Sequence, residues 1–257
     1  MQPDCVSNVT DMHHKDLTNS ENSIQGIAIG LTIMGLWAGS LIFLLSLDIS
    51  KLEIFWIIPA IATQTLLYTG LFITAHDAMH CSLFPQNRKL NHFIGTVAVY
   101  LYALFSYQKL LKNHWLHHRH PASEVDPDFS DGNLFVWYFN FFTRYFSLIQ
   151  IAGLATIFYG FTYFSICSQA NMLLFWVFPS LLSSVQLFYF GTFLPHREPK
   201  GGYTNPHRCQ SNSLSTLWSF ISCYHFGYHE EHHEYPHVPW WQLPIIRKRR
   251  IADLTQT

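Results

Sequence analysis

Charged residues and paired cysteines are scarce in this chain. Only 12% of its 257 residues are Asp, Glu, Lys or Arg, about half of the fraction that is usual in soluble domains. The net charge is −1, a balance that points to no nucleic-acid partner. The five cysteines form no Cys-x-x-Cys pair, which argues against a disulfide framework and against a thiolate metal site. The length fits a single domain, and 49% of the residues are hydrophobic.

Four long stretches contain no charged residue at all: residues 24–47, 54–75, 146–167 and 172–194. Each is long enough to cross a bilayer as a helix. Residues 1–23 are polar and lack the order of a secretory signal peptide. The sequence therefore predicts a flexible polar tail over residues 1–23, followed by one membrane domain over residues 24–257.

Shorter apolar stretches lie between the predicted spans. Phe93 to Tyr107 is too short for a full crossing and predicts a re-entrant or interfacial helix. Leu134 to Phe142 is aromatic and predicts an interfacial helix. Ser213 to Tyr228 predicts a helix that leads into the last group of histidines. The expected fold class is all-α and integral to the membrane, with four long transmembrane helices, short re-entrant or interfacial helices and a histidine-rich cap.

The distribution of positive charge predicts the orientation in the membrane. With four crossings, one side of the bilayer exposes only residues 48–53 and 168–171. Lys51 is the single Lys or Arg on that side, out of 15 in the chain. The positive-inside rule then places both termini and the histidine-rich cap in the cytoplasm.

Eight of the 16 histidines stand in three spaced groups. Neutral imidazole is the commonest protein metal ligand. Spacings of three and four residues place side chains on the same face of a helix. Eight imidazoles are too many for one tetrahedral zinc and suit two metal ions with positions left open for oxygen or water. The three groups are His76 and His80; His114, His117 and His118; and His229, His232 and His233.

Several other residues are candidates near these groups. His196 follows the fourth predicted span and is the expected ninth ligand. Asp77 is expected to hydrogen-bond a ligating imidazole. Asp126 and Asp128 are further candidates for this role, although ordinary loop structure is the favoured explanation for both. His225 lies one turn before His229 and suits either a ligand or a hydrogen-bonding partner of one. The basic run 247–250 is more typical of a solvated surface facing the membrane than of a docking patch for an acidic electron carrier.

Two functions from other classes also fit part of this pattern. The sequence His229-Glu230-Glu231-His232-His233 satisfies the H-E-x-x-H signature of zinc proteases, with Glu230 as general base. An intramembrane metalloprotease would leave unexplained the five histidines of the first two groups. A metal transporter would require polar groups inside the spans, whereas the four long stretches contain neither charge nor histidine.

The three groups resemble the histidine boxes of the membrane di-iron superfamily, which includes fatty acyl desaturases, alkane hydroxylases and carotenoid oxygenases. Within that superfamily, longer stretches resemble the bacterial β-carotene ketolases of the 4-ketolase or 4,4′-oxygenase type. The resemblance extends over roughly residues 24–245. The stretches that carry it are residues 76–80, 114–121 with 126–129, 190–197 and 226–244.

The resemblance implies an enzyme with two iron ions that uses O2 as co-substrate. Such enzymes oxidise C4 and C4′ of β-ionone rings to ketones by successive hydroxylation at one carbon and loss of water, converting β-carotene to echinenone and canthaxanthin. Zeaxanthin is a possible second substrate, and a ferredoxin-type protein is the implied electron donor. By this resemblance, the eight histidines in the boxes are expected to be iron ligands, and His196 is expected to be an additional ligand.

Within the superfamily, a carotenoid 3-hydroxylase or a lipid desaturase or hydroxylase is the alternative function. The short N-terminal segment favours a bacterial or cyanobacterial membrane over a plastid one.

Overall fold

The computed structural model describes residues 20–254, and every regular element among them is a helix. Helix α1 begins at Ser20, within the segment predicted as a tail, and residues 1–19 of that prediction lie outside the described part. Besides the 3-10 helices Ile49–Lys51 and Trp240–Gln242, ten longer helical segments follow one another along the described residues: α1 Ser20–Leu45, α2 Ile54–Met79, α3 Arg88–Ala103, α4 Tyr107–Arg119, α5 Leu134–Tyr145, α6 Leu148–Tyr163, α7 Gln169–His196, α8 Thr216–Cys223, α9 His229–Glu234 and α10 Leu243–Leu254.

Three of these helices are long and apolar enough to cross a membrane: α1 from Ile24, α2 and α7. The predicted span over residues 146–167 is shorter than expected, because α6 covers only Leu148–Tyr163. Helices α5 and α6 meet at a bend of 83° and make a fourth span only if they are taken together. The break arises where Ser147 and Gln150 form a reciprocal capping box that starts a new helix.

Helices α3 and α4 enter the bundle from the histidine end and return to it. The Asn91 side chain donates to the Ala78 carbonyl at 2.6 Å, which fixes the start of α3 beside the end of α2. At the far end of α3, the Tyr102 hydroxyl donates to Ser183 in the middle of α7 at 3.2 Å. Leu104 then adopts a left-handed conformation, with φ 55°, and the Ser106 side chain caps α4. This reversal matches the predicted re-entrant segment.

The two short loops predicted on one side of the membrane lie at the same end of the bundle. The Asn171 side chain donates to the carbonyls of Leu44 and Leu47, at 2.9 Å each. The opposite end carries the histidines and the first part of α1. There Gly26 packs so closely that a Cβ atom would lie 2.2 Å from the Leu83 carbonyl oxygen. Both ends of the described chain therefore lie at the end of the bundle that carries the histidines.

Aromatic and polar contacts hold the spans together. Tyr68 is fully buried and makes edge-to-face contacts with Trp37 and Tyr102, at centroid distances of 5.5 and 5.7 Å. The Thr69 hydroxyl bonds to Gln186 of α7 at 2.6 Å. In lipid the hydrophobic effect does not drive helices together, so close packing and hydrogen bonds of this kind stabilise their association.

The third histidine group does not stand on the helix predicted over residues 213–228. Helix α8 ends at Cys223, where Tyr224 and His225 both take left-handed conformations, with φ 47° and 65°. Such conformations are unfavourable for side chains of this size. The chain thereby turns away from α8 and forms the separate short helix α9, His229–Glu234.

Candidate metal centre

All nine histidines that the sequence singled out lie together at one end of the bundle, in two sets. In each set the ring nitrogens lie within 4.8 Å of one another. The five-histidine cluster consists of His76, His80, His114, His118 and His232. The four-histidine cluster consists of His117, His196, His229 and His233.

The second and third histidine groups are each divided between the two clusters. On α4, His114 and His118 join the five-histidine cluster and His117 joins the other. On α9, the first and last histidines join the four-histidine cluster and His232 joins the other. Helical geometry explains this division. Residues i and i+4 differ by about 40° around the axis, whereas residue i+3 lies about 60° to the other side of residue i. Each of these helices therefore presents a pair to one cluster and a single imidazole to the other.

The Nε2 atoms converge at distances that suit a shared ion. In the four-histidine cluster, His229 lies 2.9 Å from His196 and 3.1 Å from His233, and His233 lies 3.1 Å from His117. Ligands at right angles on a metal with bonds of 2.0–2.1 Å would be about 2.9 Å apart, and tetrahedral ligands about 3.4 Å. Lone pairs held this close repel one another unless a cation lies between them. The donor set therefore fits a metal ion.

Burial keeps most of these rings in the neutral form that binds metals. Removal from water lowers the pKa of His232 to about 3. The same cause, followed by the nearby imidazoles, lowers the pKa well below its usual value at five more histidines outside the spans: His80, His114, His118, His229 and His233. Neutral imidazole offers its ring lone pair to a metal, whereas imidazolium does not.

Asp126 hydrogen-bonds one of these rings, the role that the sequence favoured less for it than ordinary loop structure. The His117 Nδ1 donates to its carboxylate at 2.9 Å, with Asp126 almost fully buried. Burial lowers the pKa of His117, but the hydrogen bond and the negative charge of Asp126 outweigh it, so the pKa is raised. The same carboxylate accepts from the amides of Ala122 at 2.9 Å and Asp128 at 2.8 Å. Asp126 therefore fills both roles considered for it, shaping the loop and fixing the His117 ring.

The other predicted helpers are placed differently. Asp77 Oδ1 lies 3.6 Å from the His76 Nδ1, beyond hydrogen-bonding distance, and its other oxygen accepts from the Trp240 amide at 3.1 Å. His225 belongs to neither cluster, and its ring stacks on Tyr228 at a centroid distance of 5.8 Å. Of these residues, only Asp77 touches a clustered ring, and it does so without a hydrogen bond.

Two arginines of the C-terminal basic run bind the acidic residues of α9, a role that the sequence did not reveal. Arg247 pairs with Glu231 at 2.8 Å, and Glu231 is fully buried and also accepts from the Ser211 hydroxyl. Arg250 pairs with Glu230, and with Glu234 at 3.1 Å. The other two basic residues of the run, 248 and 249, are exposed. A clue was available in the sequence, since two adjacent glutamates beside buried histidines require cationic partners.

These ion pairs also bear on the protease interpretation. A zinc protease of this type needs Glu230 beside the metal-bound water. Here its carboxylate is held by Arg250 instead. Moreover, His229 and His233 share their cluster with His117 and His196, so the pair does not form a site of its own. The H-E-x-x-H match is thus part of a larger imidazole assembly.

An apolar cavity of about 90 Å³ lies against both clusters. His76 and His114 of one cluster line it, together with His117 and His229 of the other. A second cavity of about 370 Å³ lies between α6 and α7. The two cavities share the lining residues Tyr102, Phe142, Phe146 and Ser184.

Comparison with known proteins gives the family. The sequence profile of the family "Fatty acid desaturase" matches residues 54–153 and 146–256. The chain is 40% identical to the zeaxanthin 4-ketolase of Chlamydomonas reinhardtii, over 242 aligned residues that cover 88% of this chain and 54% of that protein. The chain thus spans about half the length of this relative.

Two further relatives are matched over most of their length. Identity is 38% with β-carotene 4-ketolase 3 of Haematococcus lacustris, over 87% of this chain and 79% of that protein. It is 44% with the β-carotene ketolase of Paracoccus sp. (strain PC1), over 73% of this chain and 78% of that protein. Because the relatives come from algae as well as a bacterium, a bacterial origin is not confirmed. The chain belongs to the fatty acid desaturase family, in the branch that contains the β-carotene ketolases.

Proposed function

We propose that this chain is a carotenoid 4-ketolase, which oxidises C4 and C4′ of β-ionone rings to ketones with O2. The observation that carries the proposal is the pair of imidazole clusters at the inner end of an apolar cavity, in a chain similar to several 4-ketolases. β-Carotene would give echinenone and canthaxanthin, and zeaxanthin is a second candidate substrate.

Two iron ions are the proposed cofactors, one in each cluster, with all nine histidines as ligands. Imidazole binds zinc, copper, iron and nickel, and the proposed reaction with O2 requires a redox-active metal, which zinc is not. Bound iron would supply the activation of O2 and the removal of hydrogen from carbon. The protein itself orients the rings, for example through Asp126 at His117. It also keeps most of the imidazoles neutral by burying them.

The two neighbouring cavities, which share lining residues, are the proposed substrate path. The substrate ring would lie in the inner cavity, beside His76, His114, His117 and His229. The polyene would extend through the outer cavity between α6 and α7. Helix α6 has no buried residue, so its outer surface is free to face lipid. A carotenoid dissolved in the bilayer would thus enter sideways without passing through water.

The membrane orientation is part of the proposal. Three to four apolar helices fit a membrane protein, and Asn171 holds the two short loops at the end opposite the histidines. The positive-inside rule then assigns the histidine end and both termini to the cytoplasm. There the metals would lie within reach of a soluble ferredoxin-type electron donor. A bacterial or cyanobacterial membrane is the proposed setting.

Cysteine labelling tests this orientation. Single cysteines introduced at Ser50 and Gln169 should react with a membrane-impermeant reagent applied from outside. A cysteine in place of Glu124, in the cap, should react only after the membrane is opened. Protection at Ser50 and Gln169 together with reaction at Glu124 in intact cells would reverse the assignment.

The function is tested by expressing the chain in a bacterium that makes β-carotene, with pigments separated by chromatography and identified by mass. Echinenone and canthaxanthin are the expected products, and metal analysis of the purified protein should give about two iron ions per chain. A 3-hydroxylated product would indicate a hydroxylase, and altered membrane lipids a desaturase. Unchanged pigments and lipids with iron-loaded protein in the membrane would contradict the proposal.

A further inference from the structure

Thr192 of α7 differs from the other buried threonines in its hydrogen bonding. Three threonines are buried in the described part of the chain: Thr69, Thr74 and Thr192. Thr74 donates to the carbonyl one helical turn earlier, at 2.8 Å, and the Thr69 hydroxyl donates to Gln186 at 2.6 Å. Among the described residues, the Thr192 hydroxyl has no hydrogen-bond partner, although only 7% of the residue is exposed.

The local backbone explains why the usual partner is missing. Tyr189–Phe193 is a π-helical segment, and the Leu194 amide bonds to the Tyr189 carbonyl five residues earlier. This wider turn alters the position of the carbonyls to which a threonine hydroxyl normally donates. Short π-helical segments inside α-helices occur frequently at functional sites.

The free hydroxyl belongs to the cavity beside the metals. Thr192 lines that cavity, and its oxygen is not among the buried atoms sealed from solvent. It also stands four residues before His196, so both side chains lie on the same face of α7. Thr192 therefore lines the same cavity as His117 and His229 of the four-histidine cluster.

Every other hydroxyl or carboxylate on the cavity wall already has a partner. Ser184 bonds to Tyr138 at 2.7 Å, and Asp128 accepts from the Tyr145 hydroxyl. Tyr102 is bonded to Ser183, as described above. Among the described residues that line this cavity, Thr192 alone offers an unpaired hydroxyl to a bound molecule.

We propose that Thr192 binds a hydroxyl group on the carotenoid ring and is a specificity-determining residue of the reaction. This inference rests on the proposed ketolase function. The unoxidised β-ionone ring has no polar atom, whereas the ring that has been hydroxylated once carries an oxygen at C4. A hydrogen bond to that oxygen retains the half-oxidised ring for its second oxidation. A hydroxyl at C3, as in zeaxanthin, has the same chemistry, and the Thr192 hydroxyl would bind it in the same way.

The test compares variants in cells that make β-carotene and in cells that make zeaxanthin. Thr192→Val keeps the shape and removes the hydroxyl, Thr192→Ala removes it with less volume, and Thr192→Ser retains it. Thr74→Val is the matched control, because it removes a buried threonine hydroxyl from α2 that already has its partner. The measured quantities are the ratio of 4-hydroxy to 4-keto products, the relative use of the two substrates, and the iron content of each variant.

For a C4 hydroxyl, the valine and alanine variants should raise the ratio of 4-hydroxy to 4-keto products by roughly three- to tenfold, the usual range for one lost hydrogen bond. For a C3 hydroxyl, they should instead lower the use of zeaxanthin relative to β-carotene by the same factor. Serine should restore the wild-type pattern in either case. Unchanged ratios in both arms, with normal iron content, would overturn the inference. A wild-type enzyme that oxidises neither carotenoid would instead contradict the proposed function itself.

Discussion

The two histidine clusters are fixed in different ways. In the four-histidine cluster, His117 donates to Asp126 and His196 donates to the Arg208 carbonyl at 3.0 Å. Among the described residues, no ring of the five-histidine cluster has a hydrogen bond of this kind. His76 instead packs on Phe226 at 4.3 Å between centroids, and His80 packs on Trp115 at 5.1 Å.

The two clusters also differ in their access to solvent. All four rings of the four-histidine cluster are buried, whereas His114 and His118 of the other cluster are half-buried. Two of the four rings in the four-histidine cluster, His117 and His196, are therefore held by hydrogen bonds, whereas ring packing supports His76 and His80 of the five-histidine cluster. Substitutions that separate these two kinds of support should affect one cluster more than the other.

The largest loss of activity should come from removing a single histidine ligand, from either cluster. His118→Ala and His233→Ala should each abolish ketone formation, because a missing ligand changes both metal affinity and redox tuning. Each variant should also lose about one of two iron ions, measured by metal analysis of the purified protein. Full activity in either variant would remove that histidine from the site.

Loss of Arg247 should be the next largest effect. Arg247→Met leaves the buried Glu231 carboxylate without its cation, which should lower the free energy of unfolding by about 3 kcal/mol. Thermal unfolding in detergent measures the change, and Arg249→Met, on the exposed face of the same helix, is the matched control. Equal unfolding temperatures for the two variants would show that the ion pair does not hold α9.

Asp126→Asn should have an intermediate effect that is confined to the four-histidine cluster. Loss of the charged partner of His117 should weaken iron binding there by about 10- to 100-fold. Iron content measured against increasing chelator tests this, and Asp77→Asn is the comparison, because Asp77 makes no hydrogen bond to a clustered ring. If Asp77→Asn weakened binding more, ring packing would not be what supports the five-histidine cluster.

The smallest effect should follow replacement of His225. Asparagine tolerates the left-handed conformation of this residue, so His225→Asn should keep both iron ions and at least about half of the activity, within the range of a moderate packing change. Pigment analysis together with iron content provides the measurement. Loss of one iron ion would instead identify His225 as a ligand.

Histidine spacing predicted which histidines lie close together, but not how they are divided between the two clusters. His196 was identified from its position after a span, and it completes the smaller cluster. His117 lies in a different cluster from His114 and His118 because of its angle around the helix axis, and this angle can be calculated from the spacing alone. It was not predicted because the three histidines were treated as one face.

Other features depend on contacts between distant parts of the chain and could not be read from spacing. The pairing of Arg247 with Glu231 requires α10 to fold back over α9. The left-handed conformations at Tyr224 and His225 interrupt what appeared to be one helix.

The ion pairs between α9 and α10 have a consequence for biosynthesis. His76 and His80 enter the membrane early in translation, whereas Arg247 and Arg250 leave the ribosome near the end. At usual elongation rates this interval is about 10 to 35 seconds. During that time the early histidines lack His232, and the helix that bears it lacks its cationic partners. The five-histidine cluster is therefore complete, and the helix that bears His232 fully paired, only after the C-terminal helix has been synthesised.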